Sequence, residues 1–292
     1  MRDFELPDLD PRLTWSVRIT DADGSVLAEH TPEVVCLTAS VGKLFLLVEV
    51  ATQLCDGPLS PDHRIKIPAD HWVADSGLLY RMRDQHVPVA DAALLVGAVS
   101  DNLATNALVR LVGLSSVHEV AKRLGFSNTL MLDYIRADRG PDDPETTSYG
   151  CAAELCELAH RIGSDDPDEV LTDGVRQWVR AWLAADVDTS MLSDAFLLDP
   201  LAHVEPEYQG MVLRHKTGSI PTARIDVGHL QGPNGAASWA VAANWLEGGP
   251  DLRAVAIDDM RAIGEQIRRH VTGMARDDVA LLTSEPGALR DR

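Results

Sequence analysis

Three short stretches of the 292-residue chain carry residue types that can do covalent chemistry: Ser40-Val41-Gly42-Lys43, Ser100-Asp101-Asn102 and Lys216-Thr217-Gly218, in that order. A serine three residues before a lysine, or a Lys-Thr-Gly tripeptide, is common by chance; their joint order and context point to a serine acyl-transfer site. The lysines sharpen this reading. Among 26 basic residues only Lys43, Lys66, Lys122 and Lys216 are lysine, and two of these four fall inside the motifs. An arginine keeps its proton at any useful pH, whereas a buried lysine can release one, so a basic residue that must serve as a base has to be lysine.

The elements that must position these residues are legible in outline. Leu13 to Ile19 alternates apolar and polar residues, Asp21-Ala22-Asp23-Gly24 supplies turn chemistry and Ser25 to Glu29 leads outward, which predicts a β-hairpin. Ser40 opens an apolar helical run, Val41 to Leu54, stopped by Asp56-Gly57-Pro58. The serine therefore sits at a helix amino terminus, where the dipole and free N–H groups favour a developing anion. Val89 to Leu183 reads as an all-helical middle punctuated by Gly113, Gly125, Gly140-Pro141 and Pro167. Strand-like runs follow at Gly210 to Arg214, Ile225 to Leu230 and Ser238 to Trp245, with the turn Gly232-Pro233-Asn234-Gly235 between the last two. An amphipathic helix from about Asp251 to Val271 and a polar tail close the chain. A helical block thus interrupts a sheet-and-helix layer whose halves lie at the two ends of the sequence.

These residues resemble the class A serine β-lactamases and the wider penicillin-recognising hydrolases over nearly the whole chain. The likeness rests on the three motifs, the sixty-residue separation of Ser40 and Ser100, the stretch Ala-Val-Ser-Asp-Asn-Leu-Ala-Thr-Asn at 98 to 106, and the Gly-Pro-Asn-Gly turn. A middle motif beginning with Ser, not Tyr, points to class A-like members. The fold implied is α+β, an antiparallel sheet flanked by helices with an inserted helical lobe: 1–38 and 209–273 in one lobe, 39–208 in the helical one, 274–292 a flexible tail. The resemblance implies that Ser40 is the nucleophile and Lys43 its base. Ser100 would pass a proton to the leaving nitrogen, oriented by Lys216, while Asn102 binds a substrate amide. The backbone N–H groups of Ser40 and Ser219 would form an oxyanion hole, Gly218 would leave the strand edge open, and Lys216, Thr217 and Ser219 would hold a substrate carboxylate. Asp101 is read as structural.

The departures carry equal weight. The family's Glu-x-x-Leu-Asn stretch, whose Glu activates the deacylating water, is missing; without gaps its Glu position falls on Arg136. The loop from Asp133 to Thr146 is short, its other carboxylates are Asp138, Asp142, Asp143 and Glu145, and Glu145 is read as an anchor pairing with an arginine. Acylation could then proceed while hydrolysis of the acyl-enzyme slows or borrows another base. The arginine that steadies the substrate carboxylate in class A enzymes aligns with Ile225, one position after Arg224. Either a bulge brings Arg224 into place, or carboxylate recognition is weaker.

The formal net charge of -19 argues against nucleic acid or an anionic membrane surface as partner. A small-molecule β-lactam, ester or amide bearing a carboxylate is the expected partner, with the chain a monomer or weak homo-oligomer. Met1 to Pro11 is acidic and broken by Pro7 and Pro11, without the basic and apolar regions of a signal peptide, so a cytoplasmic location is expected. Cys36, Cys55, Cys151 and Cys156 lack zinc or redox spacing and read as reduced packing residues. His71, His203, His215 and His229 read as structural; no metal or cofactor is implied. Trp178 and Trp182, at i and i+4, read as a packed helical face. Three functions stay open: a serine hydrolase, a penicillin-binding sensor or peptidase-like protein that stays acylated, and a catalytically silent ligand binder.

Overall fold

A computed structural model of the protein describes residues 4–67, 71–203 and 210–273. The expected hairpin forms from strands β1 (Thr14–Asp21) and β2 (Val26–His30), antiparallel with one register shift between Ile19 and Thr20. Strand β3 (Cys36–Leu37) leads to a 3₁₀ turn at Ala39–Gly42 and then to helix α1 (Lys43–Asp56), which Gly57 ends in the left-handed conformation at φ 94°. Strands β4 (Arg64–Lys66) and β5 (His86–Pro88) pair with each other. Helices α2 (Val89–Val99), α3 (Asn102–Val112) and α4 (Leu114–Leu124) follow, with Gly113 and Gly125 at their ends as the sequence predicts. Strands β6 (Leu130–Met131) and β7 (Ser148–Gly150) then complete a three-stranded sheet with β3. Helices α5 (Ala152–Gly163) and α6 (Asp173–Ala184) precede a meander of β8 (Val212–Ile220), β9 (Ala223–Gly232) and β10 (Gly235–Asn244), and α7 (Arg253–Thr272) ends the described chain.

The middle is therefore not all helical. Strands β6 and β7 interrupt it, and at two and three residues each they are too short to show a period-2 alternation. The meander strands extend beyond their apolar runs because backbone pairing, not side-chain pattern, sets their ends. β8 pairs with β9 without a break from Val212↔Gln231 to Ile220↔Ala223. The polar tail expected beyond Gly273 and residues 204–209 lie outside the described residues.

The main sheet has the order β2-β1-β10-β9-β8, so the β1–β10 pairing joins the two ends of the chain into one layer. One sheet face, through Val17, Ile19, Leu213, Trp239 and Val241, buries against Met260, Ile263 and Ile267 of α7. The other face presents Ile225, Val227, Ala240 and Ala242 to the cluster built by helices α1 to α6. Small residues let α5 approach it: Ser16 Oγ accepts from Ala152 N at 2.9 Å, and Thr20 Oγ1 lies 3.6 Å from Cys156 Sγ. Trp178 and Trp182 stack at 5.5 Å within the helical face. All four cysteines are free; Cys36, Cys151 and Cys156 are buried, whereas Cys55 is exposed and packs less than expected. Among the described residues no helix is long and apolar enough to cross a membrane.

Candidate active site

Ser40 is held by tight backbone packing on two sides. Its preceding residue, Ala39, adopts φ 48°, and the carbonyl of Ala39 accepts from Ser148 Oγ at 2.6 Å, which ties the turn to β7. On the other side Gly218 of β8 comes so close that a Cβ there would stand 2.5 Å from Thr38 O and 3.3 Å from Ser40 N. Gly218 is buried, so its role is to admit the serine-bearing backbone against the strand, not to leave an edge open.

Lys43, one helical turn on, is fully buried. Its Nζ lies 2.7 Å from Ser100 O, 3.1 Å from Ser100 Oγ and 2.8 Å from Asn102 Oδ1. Two of these partners, the carbonyl and the amide oxygen, can only accept; the hydroxyl can accept or donate. A neutral amine with two N–H bonds and a lone pair therefore satisfies the site as fully as an ammonium. Burial, and next the positive charge of Lys216, hold the Lys43 pKa well below its ordinary value against the pull of Asp101, Asp75 and Asp186. No hydrogen bond from Lys43 to Ser40 occurs among the described residues, so the expected serine–lysine contact is replaced by one to Ser100.

Ser100 is placed by a left-handed turn, φ 54° and ψ 37°, at the end of α2. Asp101, structural as expected, caps α3 by accepting from Ala104 N at 3.0 Å, and its other oxygen accepts from Leu78 N at 2.7 Å and Leu79 N at 2.8 Å. One buried carboxylate thus fixes both the motif and the loop bordering it.

Lys216 is fully buried; its Nζ donates to Thr217 O at 3.1 Å and lies 3.6 Å from Asp186 Oδ2. Thr217 Oγ1 donates to Asp188 Oδ2 at 2.7 Å. Asp186 and Asp188 follow α6 in a stretch without motif signal, and sequence reasoning passed over both. Arg224 stands opposite Ser219 in an unbulged register, while Ile225 is buried in the core. The Arg224 guanidinium donates to Ile220 O at 2.7 Å and Ala223 O at 2.6 Å and lies over Trp245. No bulge redirects it: it lines a cavity of about 500 Å³ with Trp245 that adjoins the cleft of Ser40 through Ser219, while Arg224 itself does not line that cleft.

That cleft, of about 630 Å³, is lined by Ser40, Ser100, Asn102, Thr217 and Ser219 together with Asp75, Glu145, Asp188 and Glu247. Lys43 and Lys216 lie beneath its floor through their contacts with Ser100, Asn102 and Thr217. The anchoring acid of the 133–146 loop is Asp133, which pairs with Arg136 at 2.6 Å and Arg139 at 3.0 Å. Glu145 is exposed in the cleft and has no ion pair among the described residues, so the anchoring role expected of it belongs to Asp133. A carboxylate three residues before an arginine was the available signal, and the resemblance drew attention to Glu145 instead.

The fold is that of the β-lactamases and transpeptidases. A β-lactamase from Sphaerobacter thermophilus superposes with a TM-score of 0.75 at 22% identity, covering 89% of this chain and 92% of that one. PBP-A superposes with a TM-score of 0.73 at 21% identity over 90% and 91% of the two chains. A class A β-lactamase from Mycobacterium abscessus gives 0.69 at 17% identity over 86% and 92%. No curated protein sequence matches the chain. The sequence profile of the beta-lactamase enzyme family matches residues 9–271, and the chain belongs to that family.

Proposed function

We propose that the protein is a serine hydrolase that acts on a small cyclic amide, ester or amide through an acyl-enzyme on Ser40. The observation that carries this reading is Lys43, fully buried and held by Ser100 and Asn102 beneath the cleft that Ser40 lines. A lysine kept neutral there is a base at ordinary pH, and Ser100 lies 3.1 Å from it, so a proton leaving Ser40 reaches Lys43 directly when substrate draws the groups together, or through the Ser100 hydroxyl. Ser100 then returns a proton to the leaving nitrogen or oxygen. The N–H groups of Ser40 and Ser219 would receive the oxyanion, and the close seating of Gly218 against Ser40 N supports that pairing.

Hydrolysis of the acyl-enzyme is the slower half. The family's water-activating Glu position, counted without gaps, falls on Arg136, which is ion-paired to Asp133 and Asp143 and offers no base. Glu145, of the loop carboxylates, lines the cleft and is the group available to activate water. The test is intact-protein mass spectrometry over time after mixing with penicillin or a chromogenic cephalosporin, beside Ser40→Ala. A long-lived adduct on the wild type alone supports the reading. An adduct that forms equally on Ser40→Ala removes Ser40 from its role.

A further inference from the structure

We propose that Asp188 is the specificity-determining residue of this site and sets it for substrates that carry no free carboxylate at the end lying against β8. This rests on the acyl-transfer reading of Ser40. In that reading Lys216, Thr217 and Ser219 form the wall that would meet a substrate carboxylate. The structure shows two of its three members already engaged, Thr217 and Lys216. The Thr217 hydroxyl donates its one proton to Asp188 Oδ2 at 2.7 Å, so it has none left for an incoming anion. The Lys216 ammonium lies 3.6 Å from the buried Asp186 carboxylate, which offsets its charge. Arg224, which does not line the cleft, is turned to the carbonyls of Ile220 and Ala223 and adds no free cation there.

Asp188 is itself fixed in place. Its Oδ1 accepts from Ser190 Oγ at 2.6 Å and Ser190 N at 3.3 Å, and its own N donates to Asp186 Oδ1 at 2.9 Å. Burial alone would raise its pKa, but the hydrogen bonds from Ser190 and Thr217 and the charge of Lys216 outweigh it and keep the carboxyl below its ordinary value. The group is therefore an anion at neutral pH, inside the cleft, on the atom that an anionic substrate would need. Two like charges meeting at one hydroxyl in a half-buried site repel strongly. The rest of the lining reinforces this: Asp75, Glu145 and Glu247 share the cleft, and its arginines, Arg136 and Arg139, are both paired to Asp133. An ester or amide that is neutral or cationic at this end meets no such opposition.

The test uses one β-lactam in two charge states, penicillin G and its methyl ester, with the second-order rate of Ser40 acylation followed by mass spectrometry. The wild type should acylate with the methyl ester at least tenfold faster than with the free acid. Asp188→Asn, which keeps an acceptor for Thr217 but removes the charge, should compress that ratio at least tenfold, and Asp188→Glu should retain it. The ratio is internal to each preparation, so partial misfolding lowers both rates together, and the wild-type ratio carries the test if the variants do not fold. A wild type that prefers the free acid, or an Asp188→Asn ratio within threefold of wild type, overturns the proposal. Absence of any Ser40 adduct with both probes instead removes the acyl-transfer reading, and this one with it.

Discussion

Replacing Gly218 by alanine tests how Ser40, the proposed nucleophile, is held. The added Cβ would stand 2.5 Å from Thr38 O and 3.3 Å from Ser40 N. An ordinary contact begins near 3.4 Å, so the carbonyl of Thr38 and the strand must separate by about 0.9 Å. Neither partner is a flexible side chain. β8 is locked by its unbroken pairing with β9, and Thr38 is bound through its hydroxyl to Ser148 Oγ at 2.9 Å. The displacement therefore falls on the turn that carries Ser40. A misplacement of roughly 1 Å at a reacting centre costs about a hundredfold in rate, and overpacking a tight site costs about 1–3 kcal/mol of stability. Gly218→Ala should lower the acylation rate of Ser40 by about a hundredfold while the protein still melts cooperatively. Acylation within threefold of wild type would refute the reasoning, because the serine would then not depend on the close seating of its backbone on β8.

Lys43→Arg should lower acylation by at least about a thousandfold with little change in the binding of a non-reacting analogue, since a guanidinium cannot act as the base; acylation rates beside calorimetric affinities test this. Asp101→Ala removes the α3 cap and the acceptor for Leu78 and Leu79 N–H, and urea unfolding should show a loss of about 2–4 kcal/mol. His229, buried against α5, has its pKa pulled down from 6.5 to about 3, first by burial and then by Arg214. Its contribution to stability is fully present above about pH 6.5 and is lost as the pH falls towards 3, because the unfolded chain then takes up a proton that the folded protein refuses. Its share of the slope is at most about 1.4 kcal/mol per pH unit, and the loss of unfolding free energy between pH 7 and pH 4 should be smaller in His229→Gln than in the wild type, the remainder coming from carboxylates such as Asp168.

Much of the fold was legible because its signals are local. The hairpin at 14–30, the helix after Ser40, the glycines that end α3 and α4, and the turn at 232–235 each depend on residues next to one another in sequence. Strands of two or three residues, such as β3, β6 and β7, carry no such pattern and exist because other strands lie beside them.

The residue types limited the available chemistry: serines and two lysines in the three motifs among many arginines, and no Glu-x-x-Leu-Asn stretch anywhere in the chain. What each group can do there is a tertiary matter. Lys43 turns to Ser100 and Asn102 because α1 packs against the ends of α2 and α3. Arg224 stands in an unbulged β8–β9 register and is turned to the carbonyls of Ile220 and Ala223, outside the cleft lining, and Asp188 reaches Thr217 across 29 positions of sequence. Charge and hydrogen-bond competition act through space over a few ångströms, so the sequence determined which groups the site could use, and only the folded chain decided which of them are already spoken for.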